Sequence, residues 1–141
     1  MKKKYFLFAG IIWLALAGLA LYFYSEPHRN TAHINADVSI SAVDLYSQYQ
    51  KNENDGNKKF LNKVIEVSGK IADVQQTATV INVQLEGGSP MGGVNCSIAI
   101  TEDNKIALPA KNEIVTIKGR CSGFLMDVNL VDCVLEKSPS Q

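Results

Sequence analysis

The chain has 141 residues, the length of one domain, and its 14 Lys and Arg offset its 14 Asp and Glu. The balance is uneven: without residues 1–24 the remaining 117 residues hold 11 basic and 14 acidic side chains, a net charge of −3. These values exclude a large enzyme, a disordered chain and a strongly basic nucleic-acid binder.

From Tyr5 to Tyr24, 18 of 20 residues are apolar and none is charged; the run also holds 7 of the 11 aromatics. Twenty helical residues span about 30 Å, the thickness of a bilayer's hydrocarbon core. A cleaved signal has a shorter apolar region, about 7–15 residues. Cutting after Ala15-Leu-Ala17 or Gly18-Leu-Ala20 would leave Leu21-Tyr-Phe-Tyr24 on the mature end. That stretch reads better as an interfacial aromatic belt, so the run predicts an uncleaved anchor over residues 5–24. Leu16-Ala-Gly-Leu19 lacks the cysteine that a lipid anchor requires. Lys2, Lys3 and Lys4 precede the span, while Arg29 after it is balanced by Glu26. The N-terminus is therefore expected in the cytoplasm, with residues 25–141 outside a single-pass inner-membrane helix, in the periplasm of a bacterium.

Residues 25–40, with Pro27, His28 and His33, read as a tether. At Ser41 the pattern turns helical. Ser41-Ala-Val-Asp44 resembles a capping box, and Ala42, Leu45, Tyr46 and Tyr49 recur at i, i+3, i+4 and i+7. The helix is expected over 41–54, stopped at Asn54-Asp-Gly56. Five strands should follow. Ile65, Val67, Gly69 and Ile71 share the inner face of the first; Thr79, Ile81, Val83 and Leu85 that of the second; Val94, Cys96, Ile98 and Ile100 that of the third. Val115, Ile117, Gly119 and Cys121 line the fourth, and Val128–Leu135 is apolar on both faces. Glu102–Pro109 between the third and fourth is a candidate short helix. Gly69 and Gly119 mark bends, and closing the strands into a barrel removes their edges. The expected fold is all-β with one or two short helices: a five-stranded OB-fold barrel over 41–136 preceded by an α-helix. The transmembrane helix stands before it and a short tail, 137–141, after it.

Four stretches carry a resemblance: Leu45-Tyr-Ser-Gln-Tyr-Gln-Lys-Asn-Glu53, Lys63-Val-Ile-Glu-Val-Ser-Gly-Lys70, Gly93-Val-Asn-Cys-Ser97 and, most specific, Gly119-Arg-Cys-Ser-Gly-Phe-Leu-Met-Asp-Val-Asn-Leu-Val-Asp-Cys133. Residues 41–136 resemble the tRNA-anticodon-binding-like (tRNA_anti-like) OB-fold family of small exported or membrane-tethered proteins. Asn54-Asp-Gly-Asn57 departs from it, standing where an alanine-containing helical segment is usual. The family name records a fold likeness to anticodon-binding domains.

Cys96, Cys121 and Cys133 all fall on inner strand faces. Cys121–Cys133 is the favoured disulfide, with Cys96 the alternative partner and three buried free thiols the remaining reading. No CxxC motif occurs, and both histidines lie in the tether. No catalytic residue, metal site or cofactor is therefore assigned. Gly87-Gly-Ser-Pro-Met-Gly-Gly93 lacks the ending of a phosphate loop and reads as a flexible connection. The outward residues of the second and third strands are Val80, Asn82, Gln84, Asn95, Ser97 and Ala99; none is aromatic or basic. A nucleic-acid partner is not expected there. The turn Phe124-Leu-Met-Asp127 is either an apolar contact site or a plug for the barrel end. The sequence thus points to a non-enzymatic, membrane-anchored binding module for an envelope protein or small ligand. The alternative is an oligonucleotide or oligosaccharide bound on the barrel face.

Overall fold

The computed structural model describes residues 12–19, 31–102 and 106–136. Residues 12–19 are helical and exposed, within the expected membrane span; the rest of that span, Lys2–Lys4, His28 and the tail 137–141 lie outside the described residues. No helix among the described residues is long and apolar enough to cross a membrane.

After a 3₁₀ turn at Thr31–His33 come β1 (Val38–Ser41), α1 (Ala42–Lys51), α2 (Glu53–Phe60), β2 (Val64–Gln76), β3 (Val80–Ser89), β4 (Gly92–Ala99), β5 (Ile114–Phe124) and β6 (Val128–Glu136). The sheet order is β1-β2-β3-β4-β6-β5, and an additional β2–β5 pairing closes the last five strands into a barrel. β6 lies between β4, which it meets in parallel, and β5, which it meets antiparallel. The inner faces are those the alternation predicts. Ile65, Val67, Ile71, Val83, Leu85, Val94, Cys96, Ile98, Ile117 and Cys121 are fully buried, although Thr79 is exposed before β3 begins. No residue of β6 is exposed, as its two-faced apolar pattern implies.

The tether is shorter than the composition suggests. β1 pairs in parallel with β2, Val38 opposite Ile65 through Ser41 opposite Ser68. Thr31 is buried, and its Oγ1 donates to the carbonyl of Asp132. Short polar runs hide such strands, because four residues give too little periodicity to register.

The helical region also differs from expectation. Ser41 caps α1, accepting from the Asp44 amide at 3.1 Å and donating to the Asp44 carboxylate at 2.7 Å. The helix ends at Asn52 rather than at Asn54-Asp-Gly56, because Asn52 also starts α2, accepting from the Asp55 amide at 3.3 Å. Gly56 lies inside α2 and is there for close approach: a Cβ would sit 2.6 Å from Tyr49 Cδ1. The departure from the family pattern at Asn54–Asn57 is therefore still helical. No helix appears in the described part of Glu102–Pro109, where residues 106–110 are irregular. Pro109 disfavours helical backbone at Leu108. Gly87–Gly93, read as a flexible connection, is a tight hairpin: β3 and β4 extend into it, and Gly87 packs against the Tyr46 ring.

α1 buries Ala42, Leu45, Tyr46 and Tyr49 against the barrel. Tyr49 stacks on Phe124 with ring centroids 5.4 Å apart and an interplanar angle of 17°, and meets Phe60 at 5.9 Å. Tyr46 meets Phe124 at 6.0 Å. In an exposed helix Gly→Ala gains about 1 kcal/mol in propensity. Gly56→Ala is expected to reverse that sign, lowering stability by about 1–3 kcal/mol through overpacking against Tyr49. Urea unfolding monitored by circular dichroism measures it.

Candidate functional site

OB-type barrels present ligands to the outer face of their second and third strands and the adjoining loops, here β3 and β4. Strand alternation turns Asn82 and Gln84 of β3 and Asn95 and Ser97 of β4 outward, all half-buried. Neither strand contains Lys, Arg or an aromatic residue. The polar row crosses strand boundaries. Ser97 Oγ donates to Asn82 Oδ1 at 2.8 Å, and Asn95 Nδ2 to Asn129 Oδ1 of β6 at 3.4 Å. On β5, Ser122 Oγ donates to the Asn129 carbonyl at 3.2 Å. On β2, Gln75 Nε2 donates to Asp73 Oδ2 at 3.2 Å. Asp73, Gln75, Asn82, Gln84 and Asn95 together line a recess of about 140 Å³. Gln84 also borders a larger depression of about 600 Å³ beside Glu86 and Ser89–Pro90. The result is a belt of amides and hydroxyls running across β2, β3, β4, β6 and β5.

Charge is sparse along this belt and its sign is negative. Asp73 lies in the recess, and Glu86 is paired with Lys70 at 3.4 Å. Basic side chains on the far strands are already matched: Lys118 to Glu136 at 2.6 Å and Arg120 to Asp132 at 3.3 Å. The aromatics are committed as well. Outside residues 1–24 the chain has four, and Tyr46, Tyr49, Phe60 and Phe124 all pack into the cluster beneath α1.

The predicted contact loop divides. Phe124 turns inward onto Tyr46 and Tyr49, which corrects its reading as a contact residue. Asp127 is structural too: its Oδ1 accepts from the Gly93 amide at 2.7 Å and from Gln84 Nε2 at 3.0 Å, fastening the β5–β6 turn to the β3–β4 hairpin. Only Leu125 and Met126 project, 86% and 76% exposed. The plug is thus made by Phe124 alone, and Leu125 and Met126 beside it are exposed apolar side chains.

The three cysteines are buried and free. Cys121 lies opposite Leu130, and its Sγ is 3.3 Å from the Tyr49 hydroxyl. Burial pushes the Cys121 thiol up, and burial followed by the Cys121 hydrogen bond pushes the Tyr49 hydroxyl up, so both stay neutral. Cys133 falls at the β6 bulge facing Gly119, two residues along β5 from Cys121. Two residue rises, about 7 Å, added to an interstrand spacing of about 5 Å exceed the ~7 Å limit between bridged Cα atoms. The structure does not bring Cys121 to Cys133, because the register set at the turn, Phe124 opposite Val128, runs on to place Cys133 level with Gly119. Beside it the β6 backbone bulges at Asp132, whose positive φ of 52° is more usual for glycine or asparagine. His33 is exposed, and among the described residues no group of three or more His, Cys, Asp or Glu side chains could hold a metal ion.

A closed five-stranded barrel with a helical plug and this strand order defines an OB-like barrel protein. The chain belongs to the tRNA_anti-like family, whose model matches residues 1–135. Among solved structures it is similar to a candidate nucleic acid-binding lipoprotein from Klebsiella pneumoniae subsp. pneumoniae MGH 78578, with a TM-score of 0.56 and 13% identity. That likeness covers 70% of this chain and 91% of the other, and it concerns the fold alone. The comparison with curated proteins found no match.

Two variants separate the roles of the last hairpin. Asp127→Ala leaves the Gly93 amide without its acceptor and is expected to cost about 1–3 kcal/mol in urea unfolding, whereas Asp127→Asn, keeping an oxygen acceptor, costs less. Phe124→Ala is expected to cost about 2–4 kcal/mol, less than the loss of a fully buried ring. The Leu125→Ala, Met126→Ala double variant should stay within about 0.5 kcal/mol of the parent.

Proposed function

We propose that this chain is a membrane-anchored OB-type binding module acting outside the cytoplasmic membrane, without catalytic activity of its own. Its ligand is an uncharged polar partner, a protein segment or small molecule of the envelope, held by hydrogen bonds on the amide belt. The observation that carries this reading is the commitment of all four domain aromatics to the plug beneath α1. Base stacking contributes about 1–3 kcal/mol per base in single-strand binders, and backbone tracking requires cations. The β3–β4 face offers neither.

The anchor rests on the uncharged apolar run at residues 5–24 and the lysines before it. Docking of Thr31 onto Asp132 supports a short leash. Six residues, 25–30, separate the run from the docked segment, and fully extended they reach about 20 Å. On this reading the barrel works at the membrane surface.

A second reading, single-stranded nucleic acid on the same face, is favoured by the description of the Klebsiella neighbour. Salt separates the two, since each neutralised phosphate steepens the dependence of affinity on salt. The full chain in detergent micelles should give no salt-sensitive anisotropy change with a fluorescent oligo(dT). A photocrosslinker placed at Asn95 should instead capture an envelope partner, and Asn82→Ala should weaken that capture. Oligonucleotide binding that collapses as salt rises would overturn the proposal.

A further inference from the structure

Two hairpin tips stand side by side at the plugged end of the barrel. Asp127 fastens them, its Oδ1 accepting from the Gly93 amide at 2.7 Å. The backbones meet there as well: a Cβ on Gly92 would sit 2.7 Å from the Met126 carbonyl oxygen. Three apolar side chains leave this junction outward, Met91 from one tip and Leu125 and Met126 from the other, each more than three-quarters exposed. Val43 of α1 is exposed beside them, against Gly88. Neither tip carries charge. Residues 87–93 and 122–126 contain no Asp, Glu, Lys or Arg, and the Asp127 carboxylate is turned in toward Gly93 and Gln84. Single exposed apolar side chains are ordinary on a protein surface; a group of them on one uncharged end marks a contact with protein or membrane.

We propose that Met91, Leu125 and Met126 dip into the surface of the bilayer that holds the N-terminal helix, so that the barrel stands on the membrane by its plugged end. The proposal rests on the membrane-anchored reading given above. The tether favours lipid over other occupants. Residues 25–30 reach about 20 Å between the apolar run and the docked Thr31. Thr31 is held by Asp132, six residues along β6 from Met126, or about 20 Å of strand. The tips therefore lie within reach of the bilayer, and the anchor keeps that bilayer beside them at high effective concentration. Charge chooses the end. The opposite end of the last hairpin is no farther from Thr31 and exposes Ile114, but Lys111 and Glu113 stand exposed just before it and Glu136 pairs there with Lys118. Bringing charge toward hydrocarbon is costly, whereas interfacial binding grows with the apolar area buried. With the tips seated, the outer faces of β3 and β4 point sideways and stay open to a partner. In detergent micelles no bilayer stands beside the tips, and the three side chains remain in water.

The chain's single tryptophan, Trp13, lies near the middle of the apolar run and reports on the anchor. Two further reporters are made in a Trp13→Phe chain: Met126→Trp for the tips and Lys111→Trp for the opposite end, both at exposed positions. The full chain is reconstituted into vesicles of phosphatidylcholine and phosphatidylglycerol whose phosphatidylcholine chains carry bromine either near the headgroup or near the chain end. Trp13 emission is expected to be quenched most by the deep bromines. Met126→Trp emission should be blue-shifted and quenched most by the shallow ones, and Lys111→Trp emission should be unquenched. Adding Leu125→Asp should abolish the quenching of Met126→Trp. An unquenched Met126→Trp chain beside a quenched Trp13 would overturn the proposal and leave the anchor standing. A blue shift without quenching would overturn it too, as the mark of a protein contact such as a second copy. Equal quenching of Lys111→Trp would overturn the choice of end. An unquenched Trp13 would remove the anchored reading and this proposal with it.

Discussion

The Tyr49 ring is where the layers of this domain meet. It stacks on Phe124 from the last hairpin, packs on Phe60 from α2, excludes any side chain at Gly56, and sets its hydroxyl against Cys121 of the barrel wall. A five-stranded barrel has a narrow interior that side chains must fill. Its end has to be sealed against water as well. Here the seal is made by α1, which the chain places before the first barrel strand, and the last hairpin folds back to complete it. Sealing consumes the domain's entire supply of aromatic rings, and the consequence is felt on the outside of the barrel. What remains for the outer face is amide, hydroxyl and carboxylate.

Much of this was legible in the sequence because alternation is a strong signal when one sheet face is buried. Ile81, Val83 and Leu85, or Val94, Cys96 and Ile98, name their own side of the strand. The outward Asn82, Gln84, Asn95 and Ser97 followed at once, and so did the buried stripe of α1. What failed to show were features set by long-range contact. Gly56 reads locally as a helix stop, yet it sits inside a helix because a tyrosine seven residues earlier needs the space. β1 is too short and polar to announce itself before β2 is there to pair with it. Cys121 and Cys133 both enter the core, and only the register set at the turn, Phe124 opposite Val128, shows that Cys133 stands level with Gly119 and not with Cys121. Asp127 looked like part of an exposed turn, but its carboxylate is spoken for by the neighbouring hairpin.

The same long-range features organise the candidate site. Asp127 ties the two hairpins together at one end of the belt, and the β4–β6 seam lies beneath its middle. Hydrogen-bonded amide rows of this kind recognise shape and polarity without demanding charge. Such a face fits an uncharged polar partner, as proposed, better than a phosphate backbone. Family membership and the Klebsiella likeness fix the architecture; the composition of the face differs from what a single-strand binder requires.

The domain's four aromatics pack in the plug and leave the β3–β4 face without a ring. Hydroxyl-radical footprinting of the full chain in detergent micelles, read peptide by peptide, measures that packing ring by ring. Heavy modification of Leu125, Met126 and Met91 is expected, with protection of Tyr46, Tyr49 and Phe60. Rapid modification of Tyr46 and Tyr49 in the folded chain would contradict it, since those rings would then be available to stack on a ligand.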